Sequence, residues 1–228
     1  DANDWRTLES NAEARLRLAM FDPDPEAALE HSRKALDFAQ RLVALDPSIR
    51  RHQANLLVKS HATVNLALAV GNIDVAREGL SVAERTAAEL GRDLADGDTE
   101  AAYLALVELM RRDVARVAGD LSGAAAHGVA YLEIIEGVLA RQPYDRRAVM
   151  GKGDALVNLS RVLRMLDRPD ECAERTAELE RFAADTASAW SADEEIAAIA
   201  RSWAEAADEL RRAMDAAAPA LSGPDDRS

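Results

Sequence analysis

The chain is poor in everything that would give it strands, staples or a membrane anchor. Only 4% of its 228 residues are aromatic, and it has 11 glycines, 7 prolines and a single cysteine. One cysteine cannot close an internal disulfide, so Cys172 leaves the redox compartment unconstrained. The few β-branched residues never alternate in runs, which leaves strands without support. No run of eighteen apolar residues is present, so no membrane-spanning segment is expected, and no signal peptide is read. The chain opens at Asp1 without a methionine, which reads as a fragment of a longer protein. A cytoplasmic place is expected, with a periplasmic one in a membrane-anchored parent left open.

Positive charge is also scarce. Lysine and arginine number 28 against 41 acidic residues, a net charge of −13. Nucleic-acid binding needs a basic face, so it is not expected. What is abundant is alanine, leucine, arginine and glutamate, all strong helix formers. The expected class is therefore all-α.

The turn signals carry a period. Gly71-Asn72-Ile73-Asp74-Val75-Ala76 reads as a helix end, a short turn and a new helix start. The same sense recurs 48 residues later at Gly119-Asp120-Leu121-Ser122-Gly123-Ala124 and again at Asp167-Arg168-Pro169-Asp170-Glu171-Cys172. It occurs once before, at Pro23-Asp24-Pro25-Glu26-Ala27-Ala28. A second set of breakers runs Asp46-Pro47-Ser48, Leu94 to Asp98, Gln142-Pro143-Tyr144 and Trp190 to Asp193. Two interleaved sets with one period predict helix pairs. The first members are expected near 3–20, 49–70, 99–118, 145–166 and 194–216, the second near 25–45, 74–91, 122–141 and 170–188. Nine helices make four and a half repeats of an α-solenoid, a right-handed stack of antiparallel pairs. Apolar residues recur at helical steps, as in Leu104, Val107, Met110, Val114 and Val117. A small residue always fills the sixth place of the turn signal, at Ala28, Ala76, Ala124 and Cys172, where only a small side chain lets two helices close up. The repeat domain is set at 1–216. Residues 217–228, with Pro219, Gly223 and Pro224, are read as a flexible tail or linker.

The pattern resembles the tetratricopeptide repeat superfamily in its longer bacterial form. The carriers are Leu42-Val43-Ala44-Leu45-Asp46-Pro47, a Leu-x-x-x-Asp-Pro closure of the second helix, and the Gly71 to Ala76 turn followed by Ala83. The match departs where the family has Leu-Gly in the first helix, since Thr63-Val64, Arg111-Arg112 and Leu159-Ser160 stand there. It departs also at Gly128 and Thr176, which replace the large residue Leu80 of the second helix. Such arrays often follow bacterial serine/threonine kinase domains. The resemblance implies a non-catalytic protein- or peptide-binding module in a larger signalling protein, with a homo-oligomerisation scaffold as the alternative.

The resemblance also implies that first helices line the concave, binding side. Its inward places fall on Arg17, His61, Asn65, Leu68, Met110, Asp113, Arg116, Asn158, Arg161 and Arg164. Arginine forks suit carboxylates and asparagine suits a peptide backbone, so an acidic or C-terminal segment is the expected partner. The opposing reading is a solvated face, with Asp113 and Arg116 paired three residues apart.

Nothing else points to chemistry. His31, His52, His61 and His127 include no pair three or four apart, so no metal and no cofactor are expected. Gly151-Lys152-Gly153-Asp154 lacks the rest of a phosphate loop and a preceding strand, and is read as a weak place near a helix start. Cys172 has no histidine near in sequence to activate it. No catalytic residue is assigned. Trp5, Trp190 and Trp203 lie near the two ends of the chain and are expected to cap the stack or to mark self-association.

Overall fold

The computed structural model describes residues 4–91 and 97–217. The described residues form nine α-helices and no strand: α1 Trp5–Phe21, α2 Pro25–Leu45, α3 Arg50–Ala69, α4 Ile73–Gly91, α5 Gly97–Val117, α6 Leu121–Arg141, α7 Arg146–Met165, α8 Pro169–Ala189 and α9 Glu194–Ala217. Each expected helix is present within a few residues of its expected bounds. Of the expected turn at residues 94–98, residues 94–96 lie outside the described residues, as do residues 218–228 of the expected tail.

Three of the first helices, α3, α5 and α7, end in one way. Gly71 and Gly119 have φ of +74° and +83°, and Asp167, at the same place in the repeat, has +54°. In each case the left-handed residue lets two amides fold back on the helix end. Gly71 N–H donates to the Leu68 carbonyl and Asn72 N–H to that of Ala67, at 3.1 and 2.8 Å. Gly119 and Asp120 repeat this on Arg116 and Ala115, and Asp167 and Arg168 on Arg164 and Leu163. Carbonyls that the helix end would leave bare are thereby satisfied, and the chain is reversed within a few residues. The reversed chain starts its next helix on a polar cap: the Asn72 side chain accepts from Val75 N–H at 3.1 Å. The other set of turns uses aspartate likewise, with Asp145 accepting from Ala148 N–H and Asp193 from Ile196 N–H.

Within the region expected to be one repeat domain, the helices gather into two compact units, one ending at Asp120 and one beginning at Leu121. The division falls inside a predicted pair, because α5 belongs to the first unit and α6 to the second. In the first unit each helix packs on the next, and α5 also packs on α3. In the second unit the order is α6 on α7 on α8 on α9, with α9 also against α7. Within each unit, connections of a few residues make successive helices antiparallel.

Both units are built on the sixth-place residues. Ala28, Ala76, Ala124 and Cys172 are all fully or almost fully buried. Two turns further on, Ala35, Ala83, Tyr131 and Leu179 of the second helices are buried as well. The first unit's main core joins Leu57, Val64 and Ala67 of α3 to Ala76, Ala83, Ala87 and Leu90 of α4 and Val107, Met110 and Val114 of α5. Burial of apolar surface at about 25 cal/mol per Å2 holds this together. Its buried hydroxyls do not stay bare: the Ser32 and Thr63 hydroxyls share a hydrogen bond of 2.8 Å between α2 and α3, and Thr63 also donates to the Lys59 carbonyl.

The second unit ends on a polar helix. Leu156, Val157, Ser160 and Leu163 of α7 are buried, whereas Ala204, Glu205, Asp208 and Arg211, each 48 residues later on α9, are exposed. Inside, Trp203 of α9 is 2% exposed and lies across α7. Its indole N–H donates to Asp154 at 2.9 Å. Trp203 is thus a wedge between two helices and does not cap an exposed core. Trp190 instead meets Tyr144 with ring centroids 6.3 Å apart, and Trp5 carries the Arg6 guanidinium on its ring.

Two substitutions should move stability in opposite directions. A Cβ at Gly153 would stand 2.3 Å from the Trp203 ring. Gly153→Ala is therefore expected to cost about 1–3 kcal/mol by overpacking, despite the better helix propensity of alanine. At Asp167 glycine removes a strained positive φ, so Asp167→Gly is expected to gain about 0.5–1 kcal/mol. Thermal melts of the two variants against the parent protein read both signs.

Candidate functional site

The ten expected binding-face residues fall on recurring places of the repeat. Arg17, Asn65, Asp113 and Arg161 share one place, and Leu68, Arg116 and Arg164 another, each 48 residues apart. In the first unit, Arg17 on α1, Asn65 on α3 and Arg116 on α5 are exposed, while His61, Leu68 and Asp113 are half-buried. In the second unit, Arg161 and Arg164 on α7 are exposed and Asn158 is half-buried. Met110 departs from the set. It is 1% exposed and packs into the α3–α4–α5 core, so it is a core residue and not part of an outward face. The reason is helix rotation: on α5 the seam Val107–Met110–Val114 turns inward while Leu104 is left 44% exposed.

Electrostatics separate these faces from the rest of the molecule. Helix α3 contains no acidic residue. The two acids of α1, Glu9 and Glu13, are held by Arg51 and Lys59 of α3. Lys59 is 3% exposed, and only this carboxylate compensates the cost of its burial. On α7 the one acid is Asp154, which receives the Trp203 indole N–H. Asp74, Glu78, Glu89, Asp170, Glu171 and Glu174 all stand exposed on the second helices α4 and α8.

In the first unit the outward polar groups are partly joined. Asn65 and His61 lie 3.0 Å apart on successive turns of α3. Burial pushes the His61 imidazole below its ordinary value of 6.5, and Asp113 facing it from α5 pulls the other way. Asp113 is bound by the neighbouring Arg112, whose Nε and Nη2 reach one carboxylate oxygen at 3.0 and 2.8 Å. The ion pair expected between Asp113 and Arg116 is replaced by this contact. In the second unit the Asn158 amide donates to the Asp154 carbonyl at 2.7 Å. Arg161 and Arg164 make no hydrogen bond or ion pair within the described residues.

The remaining candidates resolve into structure. Gly151 and Gly153 give room to the Tyr131 hydroxyl and the Trp203 ring. Lys152 between them reaches Glu136 of α6 at 2.6 Å and Glu178 of α8 at 3.1 Å, and lies 5.4 Å from the Phe182 ring centroid. This three-helix junction has no signature in the sequence beyond two glycines one residue apart. Cys172 is fully buried, its thiol donating to the Ser160 carbonyl at 3.3 Å, and burial pushes its pKa up. Among the described residues no group of three or more His, Cys, Asp or Glu side chains could hold a metal ion. No helix among them is long and apolar enough to cross a membrane.

No family profile matches the chain, and no curated protein matches it. Among solved structures it is similar to a de novo designed helical repeat protein, at 17% identity over 92% of this chain and 94% of that one, with a TM-score of 0.29.

The His61 environment gives a measurable consequence. Asp113 favours the imidazolium, so Asp113→Asn is expected to lower the His61 titration midpoint further, read from its ring proton shifts. Because the fold favours neutral His61, stability should fall as pH drops through 6.5 toward the lowered folded value, a dependence that His61→Gln removes.

Proposed function

We propose that the chain is a non-catalytic binding module that captures a protein or peptide segment on the outward faces of its first helices. One observation carries this reading: in a protein of net charge −13, the solvent faces of α1, α3 and α7 present no uncommitted acid, and Arg161 and Arg164 of α7 stand exposed without partners within the described residues. A face that merely had to be soluble would follow the overall composition. Unpaired guanidinium forks beside an asparagine suit carboxylates and peptide backbone, so an acidic or C-terminal segment is the partner proposed. The same charge balance disfavours nucleic acid as a partner.

The non-catalytic part is supported by the chemistry available. The single thiol is buried and lacks a base, and the outward groups include no nucleophile–base pair. The 48-residue period and the Leu-x-x-x-Asp-Pro closure support kinship with long bacterial tetratricopeptide repeats. Their usual setting supports a place in a larger signalling protein such as a serine/threonine kinase.

The test is charge reversal. Arg161→Glu with Arg164→Glu alters two exposed residues, so the helical signal should be unchanged. Binding of a glutamate-rich peptide, and capture of partners from lysate, should weaken at least about tenfold, the loss of roughly one charge-assisted hydrogen bond. Unchanged binding removes α7 from the binding surface.

A further inference from the structure

We propose that the cleft between α2 and α4 is a separate binding site, which takes one large apolar side chain of a partner peptide carrying an acid toward α2 and a base toward α4. Helices α2 and α4 both pack on α3, and between them lies a cavity of about 220 Å3. Leu36 of α2 and Val75 and Val82 of α4 wall it. Thr63 of α3 lies at its floor, with its hydroxyl shared with Ser32 and donated to the Lys59 carbonyl. The floor therefore offers an occupant apolar surface and no free polar group. Sites for small ligands run to about 300–1,000 Å3, so this smaller space suits a single side chain.

The cleft is not a furrow common to the repeats. Two periods of 48 after Val75, Gly79 and Val82, helix α8 holds Glu171, Arg175 and Glu178. There Arg175 and Lys152 reach the Glu178 carboxylate at 2.7 and 3.1 Å. The second unit thus holds ion pairs where the first has apolar walls. Gly79 keeps the cleft open, since the other pairs carry His31, His127 and Arg175 at its place. A Cβ at Gly79 would stand 3.0 Å from the Val64 side chain. Nor is the cleft an end of the chain: α1 precedes its one wall and α5 follows the other.

The rim selects the occupant by charge. Its neighbouring charges are joined within their own helices: Lys34 with Glu30, Asp37 with Arg41 at 3.8 Å, and Arg77 with Asp74 at 3.8 Å. Arg33 on α2 and Glu78 on α4 line the cleft, are exposed, and make no hydrogen bond or ion pair within the described residues. A cation is free on one bank and a carboxylate on the other. A net charge of −13 alone would call for a basic ligand, whereas this rim calls for one of mixed sign around an apolar anchor. The site therefore differs in partner from the α7 face and stands without it.

The test titrates the 228-residue protein with a helical peptide whose one leucine lies between a glutamate and a lysine on the same face. Methyl signals of Leu36, Val75 and Val82 should shift and saturate, and a peptide with alanine for that leucine should leave them in place. Arg33→Glu should weaken binding at least about tenfold, the loss of one charge-assisted contact, and exchanging the peptide's glutamate for lysine should restore it. Val82→Glu gives α4 the residue that α8 carries at Glu178, so it should abolish the shifts with the helical signal unchanged. Arg161→Glu/Arg164→Glu should leave them intact. Absence of saturable shifts overturns the proposal, as does binding indifferent to Arg33→Glu or not restored by the exchange. Free leucine binding more tightly than the peptide gives the cleft to a small zwitterion, and signals that move on dilution of the protein alone give it to a second copy; either result equally overturns a peptide site.

Discussion

Everything in this molecule depends on reversing a helix in a few residues without stranding its last carbonyls. The left-handed residue at Gly71, Gly119 and Asp167 does this by aiming two amides at the carbonyls of the helix just finished. The next helix is thereby returned along the first at a fixed offset, which brings Ala76 against α3 and Cys172 against α7. A larger residue at that place would hold the helices apart and open the core that the neighbouring turns fill. Backbone geometry at one position and side-chain size five residues later are two halves of one constraint, and the period of 48 is its repetition.

The helix pairs are legible in the sequence for this reason. Helix ends are written locally, in glycine, proline, asparagine and aspartate, and the small sixth-place residues follow from them. Register across helices is not written locally. Met110 shows the difference: its spacing fits either an outward or an inward stripe, and only the rotation of α5 on α3 and α4 decides between them. Trp203 sits near the end of the chain but at the centre of a packing layer, because its target, Gly153, is 50 residues earlier and carries no mark of being a socket. The Lys152 junction escaped for the same reason, since its carboxylates come from two other helices. The division at Asp120 also lay beyond reach, because the turn there carries a left-handed glycine and a small sixth residue like the turn at Gly71.

The candidate faces were partly legible because they inherit the repeat. At one place of the repeat Arg17, Asn65 and Arg161 are each exposed, while Asp113 at the same place is half-buried. Which charges on those faces are free is a different matter. Arg112 takes Asp113, and Lys59 and Arg51 take the acids of α1, pairings set by contacts between helices or by rotamers within one. Net charge is thus a poor guide to local field here: the acids are numerous, but α1, α3 and α7 leave none uncommitted, while α4, α8 and α9 display theirs.

The anchoring of α1 carries a consequence for motion. This helix buries only Leu8, Ala12 and Ala19, and its grip on α3 leans on the Lys59–Glu13 and Arg51–Glu9 pairs. Ionic contacts at a half-exposed edge weaken with salt and vanish when carboxylates take up protons. The packing of α1 on α2 does not depend on those pairs, so salt or acid frees α1 from α3 alone. Lifting would expose Lys59, which is sealed only while α1 is seated, so the helix docks as a unit or not at all.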